Sequence, residues 1–492
     1  MKNISLIIIL FLNTILFAQT EKEKVEATIS KSQIEGHIYF LTDDLLKGRE
    51  TGTPENKIAA SYLANTLRTY GVKPNPKTGT YYQEVYLTNT SPSKNVSLSI
   101  NDKEYKNKVA VKANEIDYTG DAVFLGYGLD EDYKGKDVSG KIIIIKGGNS
   151  EDQGIRFAYG HKKDKEKLAL EKGVVAIIEF MKAPDNIWGF IEHNFNGDRL
   201  SVALENDDPK DKNQLAYVWI QDEDGSILEE ITSNKNLEIS LKMDNQITEA
   251  VLSQNVIGVI EGTDPTLKKE YIIYSAHYDH VGIGKPDKTG DSIYNGARDN
   301  AIGTTTVLSM AQNLAKYPTK RSALFILFTG EEKGLLGSQF YVENPVLPLN
   351  QMVYCFNSDN GGYNDTSLAT IIGLDRTTAT QNIKDAVATF GLTAIEDPAP
   401  EQGLFDRSDN VHFAKKGIPS PTFSLGFTSF DGEVTKYYHQ AGDEADSLDF
   451  DYLFKFFKAY VLSGRNIAND PITPFWVEGD KYEEVGKELY KN

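Results

Sequence analysis

The sequence predicts an α/β fold, a mostly parallel, doubly wound mixed sheet flanked by helices, interrupted by an inserted β-rich module. Three observations lead there. From Asn255 onward, short and nearly continuous apolar runs alternate with helical patterns, as strands buried on both faces and their crossover helices do. Between about residues 93 and 248 the pattern changes to short β-like runs separated by turns. The 492 residues, 40% of them hydrophobic, can bury a large core, and at roughly 150 residues per domain they imply two to four domains.

The chain starts with Met1-Lys2-Asn3, followed by a mostly apolar stretch over 4–17 that ends at Ala18. That stretch is short for a bilayer span and has the form of a signal peptide over 1–18, so the chain is expected to be exported, periplasmic or secreted. No later stretch is long and apolar enough to cross a membrane. The first part of the main domain is assigned to 30–92. Within it, Thr53 reads as an N-cap and Pro54 as the first residue of a helix running to about Leu67, closed by Gly71.

The insertion is assigned to 93–250. Its β-like runs fall at 121–127, 141–146, 174–180, 216–220 and 237–241, with a single charged helix over 162–171. The main domain resumes over 251–492. Strands are expected at 271–276, 323–328, 352–356, 368–372 and 422–425, and helices at 301–316, 378–390 and 452–462.

A net charge of −19 disfavours nucleic acid as a partner, because a polyphosphate would be repelled. Cys355 is the one cysteine, so no intrachain disulfide exists, and its apolar neighbours mark it as a buried small hydrophobe.

In a sheet of this kind, ligands bind beyond the carboxyl ends of strands. The run at 271–276 leads into His277-Tyr278-Asp279-His280, and the one at 323–328 into Thr329-Gly330-Glu331-Glu332. The run at 352–356 ends in Asn357-Ser358-Asp359-Asn360. Asn295-Gly296-Ala297-Arg298-Asp299-Asn300 precedes a helix, and Tyr437-Tyr438-His439 stands near the C-terminus. Imidazoles and carboxylates converging on one sheet edge suit Zn²⁺, since like carboxylates need a cation between them.

These fragments resemble the co-catalytic dinuclear zinc exopeptidases of the bacterial aminopeptidase, glutamate carboxypeptidase and glutaminyl cyclase group. The resemblance extends from about Ile34 through Gly48-Arg49-Glu50-Thr51-Gly52-Thr53 to about Asn466 and is most specific over 275–443. It implies the phosphorylase/hydrolase-like fold. Asp137-Val138-Ser139-Gly140-Lys141-Ile142 and 169–178 resemble the protease-associated (PA) domain inserted in many members.

Carried over by position, the resemblance implies His277 and Asp359 at a first zinc, Glu332 and His439 at a second, and Asp299 bridging the two. Asp279 would orient the His277 imidazole and Glu331 would act as general base. Tyr438 is a candidate for stabilising the oxyanion. Arg407 could bind a substrate carboxylate, but an ion pair with Asp409 is the preferred reading. His280 receives no ligand role, and His37, His161 and His193 are read as surface or structural residues.

The implied activity is that of an aminopeptidase acting on peptides with two Zn²⁺ per chain. The alternatives are a one-zinc glutaminyl cyclase, a carboxypeptidase for acidic peptides, and a transferrin-receptor-like binding module, which the complete ligand set disfavours. This sequence departs from the family where Ala301-Ile302-Gly303 replaces small-Ser-Gly, and where Ser408-Asp409-Asn410 replaces Ser-Asp-His. A Gly-x-Ser-x-Gly elbow, a His-Glu-x-x-His helix and a phosphate-binding Gly-x-x-x-x-Gly-Lys-Ser/Thr loop are all absent.

Overall fold

The computed structural model describes residues 19–112, 114–203, 215–234, 236–244 and 247–491, so the expected leader over 1–18 lies outside the described residues. The chain divides into two compact units, one formed by the residues up to Val85 together with Ser253–Asn492, the other by Tyr86–Leu252.

In the first unit, helix α1 (Pro54–Tyr70) begins and ends where its chemistry requires. The Thr53 hydroxyl accepts from the Asn56 amide at 3.2 Å, proline occupies the first turn, and Gly71 closes the helix at φ 82°, a left-handed conformation that glycine adopts without strain. The sheet contains β1 (Ile247–Ile260), β2 (Tyr271–His277), β3 (Ser322–Phe328), β4 (Met352–Ser358), β5 (Leu368–Ile372), β6 (Thr393–Ile395) and β7 (Thr422–Leu425). They lie in the order β6-β5-β7-β4-β2-β3-β1. β2 pairs in parallel with both β3 and β4, and β4 with β7. The pairings β1–β3 and β5–β7 are antiparallel, which makes the sheet mixed.

Every residue of β3 and β4 is buried, and so is all of β2 beyond Tyr271. Both faces are therefore covered, which is why these strands read as continuous apolar runs instead of alternating ones. On one face lie α2 (Gly303–Lys316) and α3 (Phe450–Asn469). Gly464 of α3 meets the sheet closely: a Cβ there would lie 2.6 Å from the Tyr274 ring. The α3 pattern was expected to stop at 462, but Ser463 and Arg465 are buried and the helix continues. Arg465 donates to Asn313 Oδ1 at 2.8 Å and to Glu21 Oε2 at 2.6 Å, so its charge is compensated inside the packing.

The Tyr86–Leu252 unit holds an eight-stranded sheet whose central strands are Ile116–Phe124, Ile142–Lys146, Ala176–Met181 and Ala216–Gln221, paired in parallel in that order. Among the described residues three α-helices accompany it, not the single one expected: Ile155–Glu171, Asp185–Phe195 and Ser226–Thr232. The second was obscured by its own apolar face, since Trp188, Ile191 and Phe195 are all buried. The third has only seven residues, too few for a periodic signal.

Candidate metal centre

The carboxyl ends of β2, β3 and β4 bring together residues far apart in the chain. His277 ends β2, and its main-chain carbonyl accepts from Thr304 Oγ1 at 2.7 Å. Its Nε2 lies 3.2 Å from Asp359 Oδ1, beyond β4, and 3.2 Å from Asp299 Oδ1. The second Asp299 oxygen, Oδ2, lies 3.2 Å from His439 Nε2, which is itself 3.0 Å from Glu332 Oε2. Asp299 thus stands between two donor pairs and turns one oxygen to each.

The loop carrying Asp299 is fixed by Asp443, whose Oδ2 accepts from the amides of Arg298 at 2.9 Å and Asp299 at 3.2 Å. Asp443 Oδ1 accepts from the Arg298 guanidinium at 2.9 Å. Beyond β3, Gly330 at φ 72° turns the chain so that Glu331 and Glu332 follow at the sheet edge.

Asp279 is buried beside them but does not play the part expected. His277 Nδ1 donates to the Asp279 main-chain carbonyl at 3.2 Å, while the nearest carboxylate oxygen lies 3.8 Å away, beyond hydrogen-bond reach. The Asp279 carboxylate instead accepts from the amides of Glu331 at 3.2 Å and Glu332 at 3.4 Å, and from Thr51 Oγ1 at 2.8 Å. It therefore positions the Glu331-Glu332 turn. Sequence spacing suggested the imidazole because His277 and Asp279 are two residues apart; the turn that intervenes in space was not visible.

Burial opposes ionisation throughout the cluster, and the neighbours decide the outcome. For Asp299, burial is outweighed by the imidazoles of His277 and His439 close to its two oxygens, which hold it far below the usual carboxylate range. Glu332 falls to about 2, again against burial and the charge of Asp299, through His280 and His439. Glu331 rises well above the ordinary glutamate value through burial, with Asp359, Glu332 and Asp409 adding like charge. His439 is pushed up to about 10 despite burial, by Asp299 and Glu332. A divalent cation binding the same atoms would take the place of a proton on these imidazoles.

The donor set fits such a cation. His277, Asp299 and Asp359 form one group of converging ligand atoms; Asp299, Glu332, His439 and His280 form another. His439 Nε2 is buried close to two carboxylate oxygens and is aligned for a hydrogen bond with neither. An imidazole nitrogen and carboxylate oxygens facing one point are the ligand chemistry of Zn²⁺.

His280 is the residue that sequence reasoning left without a role. Fully buried, it places Nδ1 2.7 Å from Glu332 Oε1. The run His277-Tyr278-Asp279-His280 was the available signal.

Beside the donors lies a cavity of about 100 Å³, lined by Glu331, Asp359, Tyr438 and the apolar side chains of Ile372, Leu404, Phe427, Phe430 and Val434. The Tyr438 ring stacks on His439, with centroids 4.0 Å apart. Arg407 also lines this cavity and does not pair with Asp409. Asp409 is buried at the start of the short helix Asn410–Lys415, and neither of its oxygens has a hydrogen-bond partner among the described residues. Adjacent residues at that helix start point in different directions, so proximity in sequence did not become contact.

His37 lies away from the site, held between the hydroxyls of Tyr62 at 2.7 Å and Tyr70 at 2.8 Å. His161 is 3.7 Å from Asp164 on a solvent-facing helix. Cys355 is buried within β4, where burial pushes its thiol up to about 12.

Residues 255–461 match the model of peptidase family M28, and all five candidate metal ligands fall inside that segment. Among similar proteins, Aminopeptidase YwaD of Bacillus subtilis is 28% identical over 329 residues, covering 66% of this chain and 61% of that protein. The probable leucine aminopeptidase 2 of Aspergillus oryzae is 24% identical over 405 residues, covering 76% of this chain and 72% of the relative. Of solved structures, an aminopeptidase from Aneurinibacillus sp. strain AM-1 superposes with a TM-score of 0.61 at 22% identity, over 92% of this chain and 97% of that one, which establishes likeness of fold. No helix among the described residues is long and apolar enough to cross a membrane.

Proposed function

We propose that this chain is an exported zinc-dependent aminopeptidase that removes apolar N-terminal residues from peptides, with two zinc ions per chain. Asp299 carries the reading, because its Oδ1 faces His277 while its Oδ2 faces His439. One carboxylate so placed can serve two ions, each with one imidazole and one further carboxylate, Asp359 on the first side and Glu332 on the second. Zinc bound there would acidify a water and polarise the scissile carbonyl.

Glu331 supplies the base. Burial and like charge make its carboxylate more basic than an ordinary glutamate, suited to taking the water's proton and returning it to the leaving amine. Asp279 holds the turn on which Glu331 stands. Tyr438, which lines the cavity, is the candidate donor to the developing oxyanion. Ile372, Phe427 and Val434 give the cavity an apolar wall that favours a nonpolar side chain over a charged one. The peptidase family of the catalytic segment and the aminopeptidase names of the relatives support this reading. Export rests on the apolar leader over 1–18, and a PA-type identity for Tyr86–Leu252 rests on its sequence resemblance.

A panel of aminoacyl-anilides tests the proposal, run with and without a chelator. Leucyl and phenylalanyl substrates should be cleaved faster than glutamyl or lysyl ones, with activity lost on chelation and restored by zinc. Turnover indifferent to chelation, or a preference for acidic residues, would contradict it.

A further inference from the structure

The geometry points to His280 as a positioning residue for the second metal site: it holds Glu332 by a hydrogen bond and is not itself a ligand. This inference rests on the two-zinc reading above. His280 lies three residues beyond His277 and is bridged through its backbone to Glu50. Its Nδ1–H donates to Glu332 Oε1 at 2.7 Å, while Oε2 of the same carboxylate lies 3.0 Å from His439 Nε2. The two oxygens of Glu332 therefore have different partners, one on His280 and the other toward the metal donors.

The distances separate a ligand from a support. Two atoms bound to one tetrahedral zinc at about 2.0–2.1 Å lie roughly 3.3 Å apart. His439 stands 3.0 Å from Glu332 and 3.2 Å from Asp299, close to that separation. At 2.7 Å, His280 and Glu332 have the length of a charge-assisted hydrogen bond.

The imidazole sits in a built slot. A Cβ on Gly296 would lie 2.6 Å from His280 Cγ and Cδ2, so only glycine leaves room for the ring, and its φ of 62° suits glycine as well. Buried Arg49 clamps both walls of the slot, donating to the carbonyls of Tyr278 at 2.8 Å, Asn295 at 2.6 Å and Gly296 at 3.2 Å. Fixed in this way, His280 prevents Glu332 from rotating and leaves Oε2 as the oxygen offered to the metal.

The test is calorimetric titration of zinc into the chelator-stripped full-length chain, with thermal unfolding measured alongside. Wild type should bind two zinc ions; uptake of a single ion would remove the two-zinc reading itself, and the proposal with it. Given two, His280→Ala should weaken one site by about 10–100-fold and leave the other unchanged. His280→Asn, which keeps an amide N–H near the Nδ1 position, should recover most of that loss, whereas His280→Gln, which carries it farther out, should not. Unchanged affinity in the alanine variant would overturn the proposal. So would equal weakening of both sites in step with lost stability. An asparagine variant no better than alanine would make the imidazole a ligand, also against the proposal. If the alanine variant does not fold, the asparagine and glutamine variants decide by themselves: a difference between them supports positioning, and equal affinity contradicts it.

Discussion

Two buried carboxylates of this chain sit in opposite electrostatic circumstances. In the Tyr86–Leu252 unit, Glu179 is fully enclosed and receives Lys165 Nζ at 2.6 Å, the Tyr217 hydroxyl at 2.8 Å and Trp219 Nε1 at 2.7 Å. One cation meets one anion, and neutral donors satisfy the remaining oxygen. In the first unit, Asp299 shares the His277 imidazole with Asp359 and the His439 imidazole with Glu332, while Asp279, Glu331 and Asp409 stand close enough to shift one another. The fully buried Arg49 nearby spends its donors on main-chain carbonyls, that of Leu41 among them. Burial is common to both regions. What differs is closure: the Glu179 network is complete, whereas the Asp299 cluster holds more acid than its fixed cations neutralise, which is the arrangement a metal ion completes.

The largest expected effect lies at the open cluster. Glu331→Gln should lower kcat by about 10²–10⁴-fold in anilide hydrolysis, the range for losing general acid–base catalysis, without loss of bound zinc. Unchanged turnover would remove Glu331 as the base. At the closed network the effect should be on stability. Lys165→Met leaves Glu179 buried without its cation and should cost about 3–5 kcal/mol in chemical denaturation, whereas Lys165→Met with Glu179→Leu should recover much of it. Equal losses in the single and double variants would show that the pair is not the unit it appears in space.

A smaller effect of opposite sign sharpens the contrast. Burial, with Asp359 and Asp279 adding like charge, raises Asp409 to about 7. An acid whose folded pKa is raised binds more protons folded than unfolded, so wild-type stability falls as pH rises from about 4 through 7. Asp409→Asn removes that penalty. In the chelated protein its melting temperature should match wild type near pH 4 and exceed it above pH 7. A destabilised variant at high pH would mean that Asp409 has a compensating partner after all.

The sequence made the sheet edge legible because buried strands are written as uninterrupted apolar runs, and polar residues at their ends are conspicuous. His277, Glu331, Glu332 and Asp359 were found in that way, and α1 through its caps. What stayed hidden depended on which way adjacent residues point. Asp279 was assigned to the imidazole two residues back, although its carboxylate serves a turn from another strand. Arg407 was matched to Asp409 by proximity along the chain, but a helix start turns one inward and leaves the other at the cavity. His280 gave no signal beyond its place in the run, because its role depends on Glu332 and on a glycine slot sixteen residues away.

Zinc content per folded chain, measured by native mass spectrometry on wild type and on Asp299→Ala, probes the shared carboxylate most directly. Wild type should carry two ions, and the variant should lose both or retain one weakly, because both donor pairs forfeit a ligand together. A wild-type chain holding a single ion, or an alanine variant still holding two, would contradict the bridging role of Asp299.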